Sequence, residues 1–150
     1  MGLSSLKLNA GFLAAEFKPA AADRQAAWEM YVELLTRIAT QPLPSEQGDE
    51  RAALDSVYSL FPTTREALRR NGSNCIEFTR LAVVILNQVV RPFTAKWHGR
   101  VTRDPKTLEK AKNRQEFRAE QAALQVELRK YQGALAAIAG VEDLTELPVV

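Results

Sequence analysis

The 150-residue chain is predicted to be mainly α: an antiparallel bundle of four main helices with a long C-terminal helix and a small N-terminal β-hairpin. Three observations predict it. Apolar residues recur at three- and four-residue intervals over most of the chain, as one face of a helix requires. Proline, glycine and asparagine punctuate those stretches where helices start and stop. Composition is ordinary for a packed domain, 46% hydrophobic and 25% charged. With no repeat or linker, residues 1–150 read as one helical-bundle domain, 1–18 forming the hairpin and 104–140 the long last helix.

Between Leu3 and Phe17, Leu6 and Leu8 alternate on one face of a first strand, and Leu13, Ala15 and Phe17 on one face of a second. Asn9-Ala10-Gly11 supplies the turn, and the ribbon needs helices beneath it to be stable. A first helix is expected over Ala20–Thr40, with Pro19 before it, Asp23 in its first turn, and Trp28, Tyr31, Val32, Leu35, Ile38 and Ala39 on its buried side. Pro42 to Gly48 cannot continue it.

Asp49–Arg70 is a second helical stretch carrying Leu54, Val57, Leu60, Phe61 and Leu68. Pro62 either kinks it or sits in the first turn of a new helix, and Asn71-Gly72 ends it. Asn74 and Glu77 have capping-box spacing ahead of a third helix, Ile76–Val90, apolar on most sides and therefore expected to be the central one. Pro92 is expected to kink or end it at Arg91. Asp104-Pro105 marks the start of the last helix and Gly140 its stop. Phe117, Leu124, Leu128, Tyr131, Leu135 and Ile138 form its apolar seam, and the charged part from Lys106 to Glu116 is expected to protrude or fray.

One cysteine, Cys75, excludes an internal disulfide, and with a single histidine there is no four-ligand zinc set, so no metal and no cofactor is expected. Cys75 reads as a partly buried, inert thiol. The first residues carry no secretory signal, and the longest apolar run, Leu81–Leu86, is far short of a membrane span. A cytoplasmic protein without membrane attachment is expected. Gly-rich phosphate loops, nucleophile elbows and isolated carboxylate pairs are absent from the sequence.

Charge is unevenly placed. From Lys96 to Arg118 eight cations face three carboxylates, a local charge of +5 that leaves −3 for the remainder of a chain whose net charge is +2. Lys96, Arg100, Arg103, Lys106, Lys110, Lys112 and Arg114 could track a phosphate backbone, with Trp97 or Phe93 stacking on an unpaired base. Glu109 and Glu116 between them also fit the decoration of an exposed helix. Arg65, Arg69 and Arg70 read as complements to a helix dipole, and Trp28, Tyr31, Tyr58 and Tyr131 as core residues.

The only histidine, His98, lies seven residues after Arg91, close to two helical turns. A proton-exchanging imidazole beside a phosphate-holding guanidinium suits metal-independent RNA cleavage by attack of the 2′-hydroxyl. The spacing resembles the signature of the HEPN superfamily of helical, often dimeric ribonucleases, although Pro92 stands where its members usually carry a polar residue. The resemblance implies Arg91 and His98 as catalytic residues, completed by the same pair from a second subunit. The structural alternative has Arg91 capping a helix or pairing with a carboxylate, and His98 hydrogen-bonded near a helix C-terminus.

The segments around Trp28–Leu34, Tyr58–Arg65 and Leu86–His98 look like those of a family of small uncharacterised bacterial helical proteins, a resemblance covering nearly the whole chain. It implies an accessory component of a bacterial operon, one concerned with phage defence. The expected function is a non-enzymatic helical module that docks a protein partner or its own copies. The alternatives are a HEPN-like ribonuclease using Arg91 and His98, and a non-catalytic nucleic-acid binder using the basic 96–118 segment, with RNA as ligand.

Overall fold

The computed structural model describes residues 6–9, 14–37 and 49–145. Its helices are α1 (Ala21–Leu35), α2 (Glu50–Tyr58), α3 (Leu60–Asn71), α4 (Ile76–Val84), α5 (Arg91–Arg103) and α6 (Ala111–Ala139). The mainly helical architecture with a long last helix is therefore as expected. Residues 38–48, which include the expected end of the first helix and the proline-rich loop, lie outside the described residues.

The hairpin expectation is not supported as a packed unit. Leu6–Asn9 and Ala14–Phe17 run antiparallel, Leu6 opposite Phe17, but the Ala10-Gly11 part of the expected turn and the side chains that should seat the ribbon on the helices lie outside the described residues.

A single apolar cluster draws on all six helices: Ala27 and Leu34 of α1, Leu54 of α2, Phe61 of α3, Phe78 of α4, Trp97 of α5 and Leu128 of α6. α6 is the spine, about 43 Å long at 1.5 Å per residue, and α1 packs chiefly along it and against α3. Gly140 takes the left-handed conformation (φ 74°, ψ 33°) that closes α6, as its sequence position predicts.

Four local expectations are corrected. First, the stretch Ile76–Val90, expected to be the central helix, is not buried on most sides: Phe78, Leu81, Ala82, Ile85 and Val90 are buried, but Ile76 and Val83 are exposed and Leu86 and Val89 only partly covered. An apolar face wider than its neighbours can cover stays partly in water.

Second, Asn74 does not cap α4. The buried carboxylate of Asp23 takes that role from α1, accepting from Phe78 N at 2.9 Å through one oxygen and from Ala20 N at 2.8 Å through the other. One side chain satisfies the open donors at two helix starts.

Third, of the two outcomes expected of Pro92, a kink or a stop at Arg91, the stop is not observed: the helical path continues through it. Ile85–Val90 forms a π-helical turn, with Arg91 N bonded to Leu86 O five residues back, and α5 begins at Arg91 with the proline in its first turn. The widened turn absorbs the missing N–H and the clash with the carbonyl four residues earlier. At the α2–α3 joint the break falls at Ser59, which puts Pro62 in the first turn of α3, one of the two arrangements its position allows.

Fourth, the last α-helix starts at Ala111. Asp104 is instead the C-cap residue of α5, its backbone N–H donating to Arg100 O at 2.9 Å, while its Oδ1 accepts from Lys106 N at 3.0 Å in the turn that follows, and Thr107–Glu109 forms a 3-10 turn. Thr107 is buried, its hydroxyl donating to Asp104 O at 2.6 Å and lying 3.0 Å from Arg100 O, so this region packs back on α5 instead of protruding.

Three residues expected on the buried side or in the core are outside it: Trp28 is 44% exposed, Val32 38% and Tyr58 51%. Tyr31 and Tyr131 are buried as expected. Tyr31 fastens the chain after α6 to α1, its oxygen accepting from Leu144 N at 2.6 Å and its hydroxyl lying 3.2 Å from Asp143 Oδ1. Burial raises the Tyr31 phenol above its ordinary pKa, against the lowering effect of the Leu144 bond.

Candidate functional site

The unbroken α5 places Arg91 and His98 two turns apart, beside the α2–α3 joint. Arg91 is exposed; its Nε and Nη2 donate to Asn87 Oδ1 at 3.2 and 3.1 Å, and its guanidinium lies 4.8 Å from the centre of the Phe61 ring. It pairs with no described carboxylate, but it does stand at the C-cap of the Ile85–Val90 turn, its N–H donating to Leu86 O, so of the two structural alternatives given for it the capping position is the one observed. His98 is half-buried against Tyr58, ring centres 4.6 Å apart, and its Nε2 is buried without a hydrogen-bond partner. The expected hydrogen bond of His98 is therefore not made at that nitrogen.

Tyr58 and Phe61, themselves 5.8 Å apart, form an aromatic shelf that meets both candidate residues. The imidazole packs on one ring and the guanidinium on the other, so within this subunit they are held on separate aromatic partners. Such an arrangement fixes their positions; it leaves no described carboxylate oriented to a His98 nitrogen.

The basic segment is reorganised by Trp97. Its ring is fully buried (0% exposed), edge-on to Phe117 with centroids 5.2 Å apart, and its Nε1 donates to Glu120 Oε1 at 3.3 Å. Phe93 is buried against the same Phe117 at 5.3 Å. Neither ring is available as a platform for a base, which corrects that part of the nucleic-acid expectation.

Lys96 and Arg100 lie over the indole at 5.2 and 5.0 Å. Lys96 bridges Glu116 at 2.8 Å and Glu120, while Arg100 donates to Glu116 at 3.0 Å. Hydrogen bonds from Lys96 and then Arg100 hold the Glu116 carboxyl below its usual range, and the bonds to Glu116 and Glu120 raise the Lys96 amine. Further along, Lys110 pairs with Asp104 at 3.2 Å, Arg114 donates to the Leu108 and Glu109 carbonyls, and Arg118 bridges Glu50 at 3.0 Å. Asp104 is held low by the Lys106 backbone N–H and then by Lys110. Much of the expected phosphate track is thus tied into the protein's own surface; Arg103, Lys106 and Lys112 remain without a described carboxylate partner.

Two clefts flank this network. One, about 600 Å³, runs between the π-turn with the start of α5 and the middle of α6; Phe93 and Leu124 form its floor, and Val89, Pro92 and Ala123 its apolar walls. Gln88, Lys96, Glu120, Glu127 and Lys130 complete its rim. The other, about 470 Å³, lies at the α5–α6 corner with Arg100, Arg103 and Lys112 in its wall. Neither includes Arg91 or His98.

The first cleft was not legible as a site. Val89, Pro92 and Phe93 are contiguous with an apolar helix, and Ala123-Leu124 belongs to an apolar seam; only the packing of the two helices turns them into opposite walls. Of the remaining candidates, Arg69 and Arg70 do sit in the last turn of α3, with Arg70 3.5 Å from Glu29. Cys75 is fully buried, its thiol donating to Gly72 O at 3.0 Å.

Among the described residues no helix is long and apolar enough to cross a membrane, and no group of three or more His, Cys, Asp or Glu side chains could hold a metal ion. Comparison with protein-family models, curated proteins and solved structures finds no match to this chain.

Proposed function

We propose that this chain is a non-enzymatic helical interaction module whose α5–α6 groove receives an amphipathic helix of a protein partner. The observation that carries the reading is the groove itself. Its lining spans residues 120–130 on α6 and 88–96 across the π-turn and α5, roughly 15 and 12 Å at 1.5 Å per residue. That length matches about three turns of a docked helix, with anchors at i, i+3 or i+4, and i+7. An apolar floor with a rim of both charge signs suits a helix having one apolar stripe and polar flanks.

The resemblance to small bacterial helical proteins extends this reading to an accessory component of a bacterial system concerned with phage defence. That extension rests on the resemblance alone.

The test places a photo-crosslinking residue at Ala123, an exposed groove wall, and at Ala137 as an off-groove control. A partner crosslinked from Ala123 alone is then purified and its affinity measured for wild type and Ala123→Arg. A loss of about tenfold or more is expected; equal crosslinking at both positions, or unchanged affinity, rejects the groove. Self-association lost in Ala123→Arg would make a second copy the occupant and overturn the partner assignment.

A second reading is favoured by one observation, the shared placement of Arg91 and His98 on α5 with His98 Nε2 unpartnered: a HEPN-like, metal-independent ribonuclease. Labelled RNA should stay intact with the purified protein. Cleavage that is lost in both Arg91→Ala and His98→Ala would replace the docking reading with this one.

A further inference from the structure

The second cleft, at the α5–α6 corner, takes no part in the groove, and its charge is not balanced. Arg100 is already committed to Glu116 at 3.0 Å, and Asp104 to Lys106 N and Lys110. Arg103 and Lys112, which face the same cleft, have no carboxylate partner among the described residues. The Arg103 guanidinium folds back along α5, its Nη1 3.6 Å from the place a Cβ on Gly99 would occupy, an ordinary contact distance. Asn113, whose Nδ2 donates to Thr107 O at 3.0 Å, adds a fixed amide to the same wall.

We propose that this cleft binds one phosphate group of a small phosphorylated ligand. A guanidinium and an ammonium facing one space and lacking an internal counterion are the donors that phosphate oxygens require. The volume, about 470 Å³, is within the range of small-ligand sites. The same geometry argues against an RNA strand. The neighbouring cations Lys96, Lys110, Arg114 and Arg118 are engaged by carboxylates or carbonyls, and Trp97 and Phe93 are buried, so neither a continuous backbone track nor a base platform extends from the cleft.

The experiment titrates the full chain with inorganic phosphate, with pyrophosphate and with a short single-stranded RNA at matched ionic strength, following backbone amide chemical shifts. Saturable shifts centred on Arg103, Lys112 and Asn113 are expected for phosphate or pyrophosphate, weakened about tenfold or more in Arg103→Gln/Lys112→Gln. Both positions are exposed, so the variant should keep the wild-type fold, checked by its remaining spectrum; an Arg69→Gln control should bind as wild type. No saturation, or equal affinity in the double variant, overturns the site. Binding of RNA alone, with a salt dependence of several released counterions, overturns the assignment to a small ligand.

Discussion

The carboxylate of Asp23 accepts a hydrogen bond from the backbone N–H of Phe78, 55 residues away, at 2.9 Å, and is only 1% exposed. Its other oxygen accepts from Ala20 N, so the starts of α1 and α4 are held by the same buried charge. Net contributions of hydrogen bonds to charged groups run about 1.5–3 kcal/mol. Asp23→Ala should therefore lower stability to urea by about 2–4 kcal/mol, with Asp23→Asn losing less because its amide oxygen can still accept. A loss below about 0.5 kcal/mol in Asp23→Ala would show that the two helix starts do not depend on this group.

Trp97 should behave as core. The chain has two tryptophans, so Trp28→Phe leaves Trp97 as the sole indole. Its emission should be blue-shifted and poorly quenched by acrylamide, and unchanged on adding single-stranded RNA, because the ring is sealed against Phe117. Trp97→Ala should cost about 3–5 kcal/mol, the range for emptying a large aromatic site. RNA-dependent quenching would return the indole to the list of ligand contacts.

Helix content, the α6 seam and the Gly140 stop were legible because each depends on a local pattern. What the chain concealed depends on contacts between distant segments. Asn74 and Glu77 have the right spacing for a capping box, yet Asp23 reaches the same backbone from another helix. Pro92 obeys the local rule against mid-helix proline, but a π-turn accommodates it at the joint with α5. Periodicity identified Trp28 and Tyr58 as apolar positions without saying which would find a partner element; both stand at the edge of the packed face. At the candidate sites, the Arg91–His98 spacing was readable, whereas the Phe61–Tyr58 shelf that separates them comes from another part of the chain. The basic run was equally plain, and its neutralisation was only half visible: Glu116 was in view, but Glu120 and the fold that brings both onto Lys96 were not.

Gln121 is 1% exposed, and both its amide nitrogen and its oxygen are buried without hydrogen-bond partners. Desolvating such a group without compensation costs roughly 1–3 kcal/mol in protein mutational series. Gln121→Leu, close in volume and free of polar atoms, should raise the urea midpoint, by about 1–3 kcal/mol in stability. A loss of stability would show that the amide is satisfied in solution, by water or by rearrangement.

The Lys96–Glu116–Arg100 network sets a pH window. The folded-state pKa of Glu116 lies below its ordinary 4.5, so its contribution is fully present above that value and is lost as pH falls through the lower folded one. Lys96 is shifted the other way, above 10.5, so its contribution is fully present below that value and is lost as pH rises through the higher folded one. The network is therefore intact between these limits and weakens first on the acid side in any ordinary titration. Glu116→Gln removes the carboxylate, so the stability gap between wild type and variant should be flat near neutral pH and shrink below about pH 4.5. Added salt should narrow it throughout, since these side chains are partly exposed. Urea midpoints measured from about pH 3 to 7 for both proteins test this. A gap that stays constant across that range would mean that Glu116 acts through packing and not through its charge.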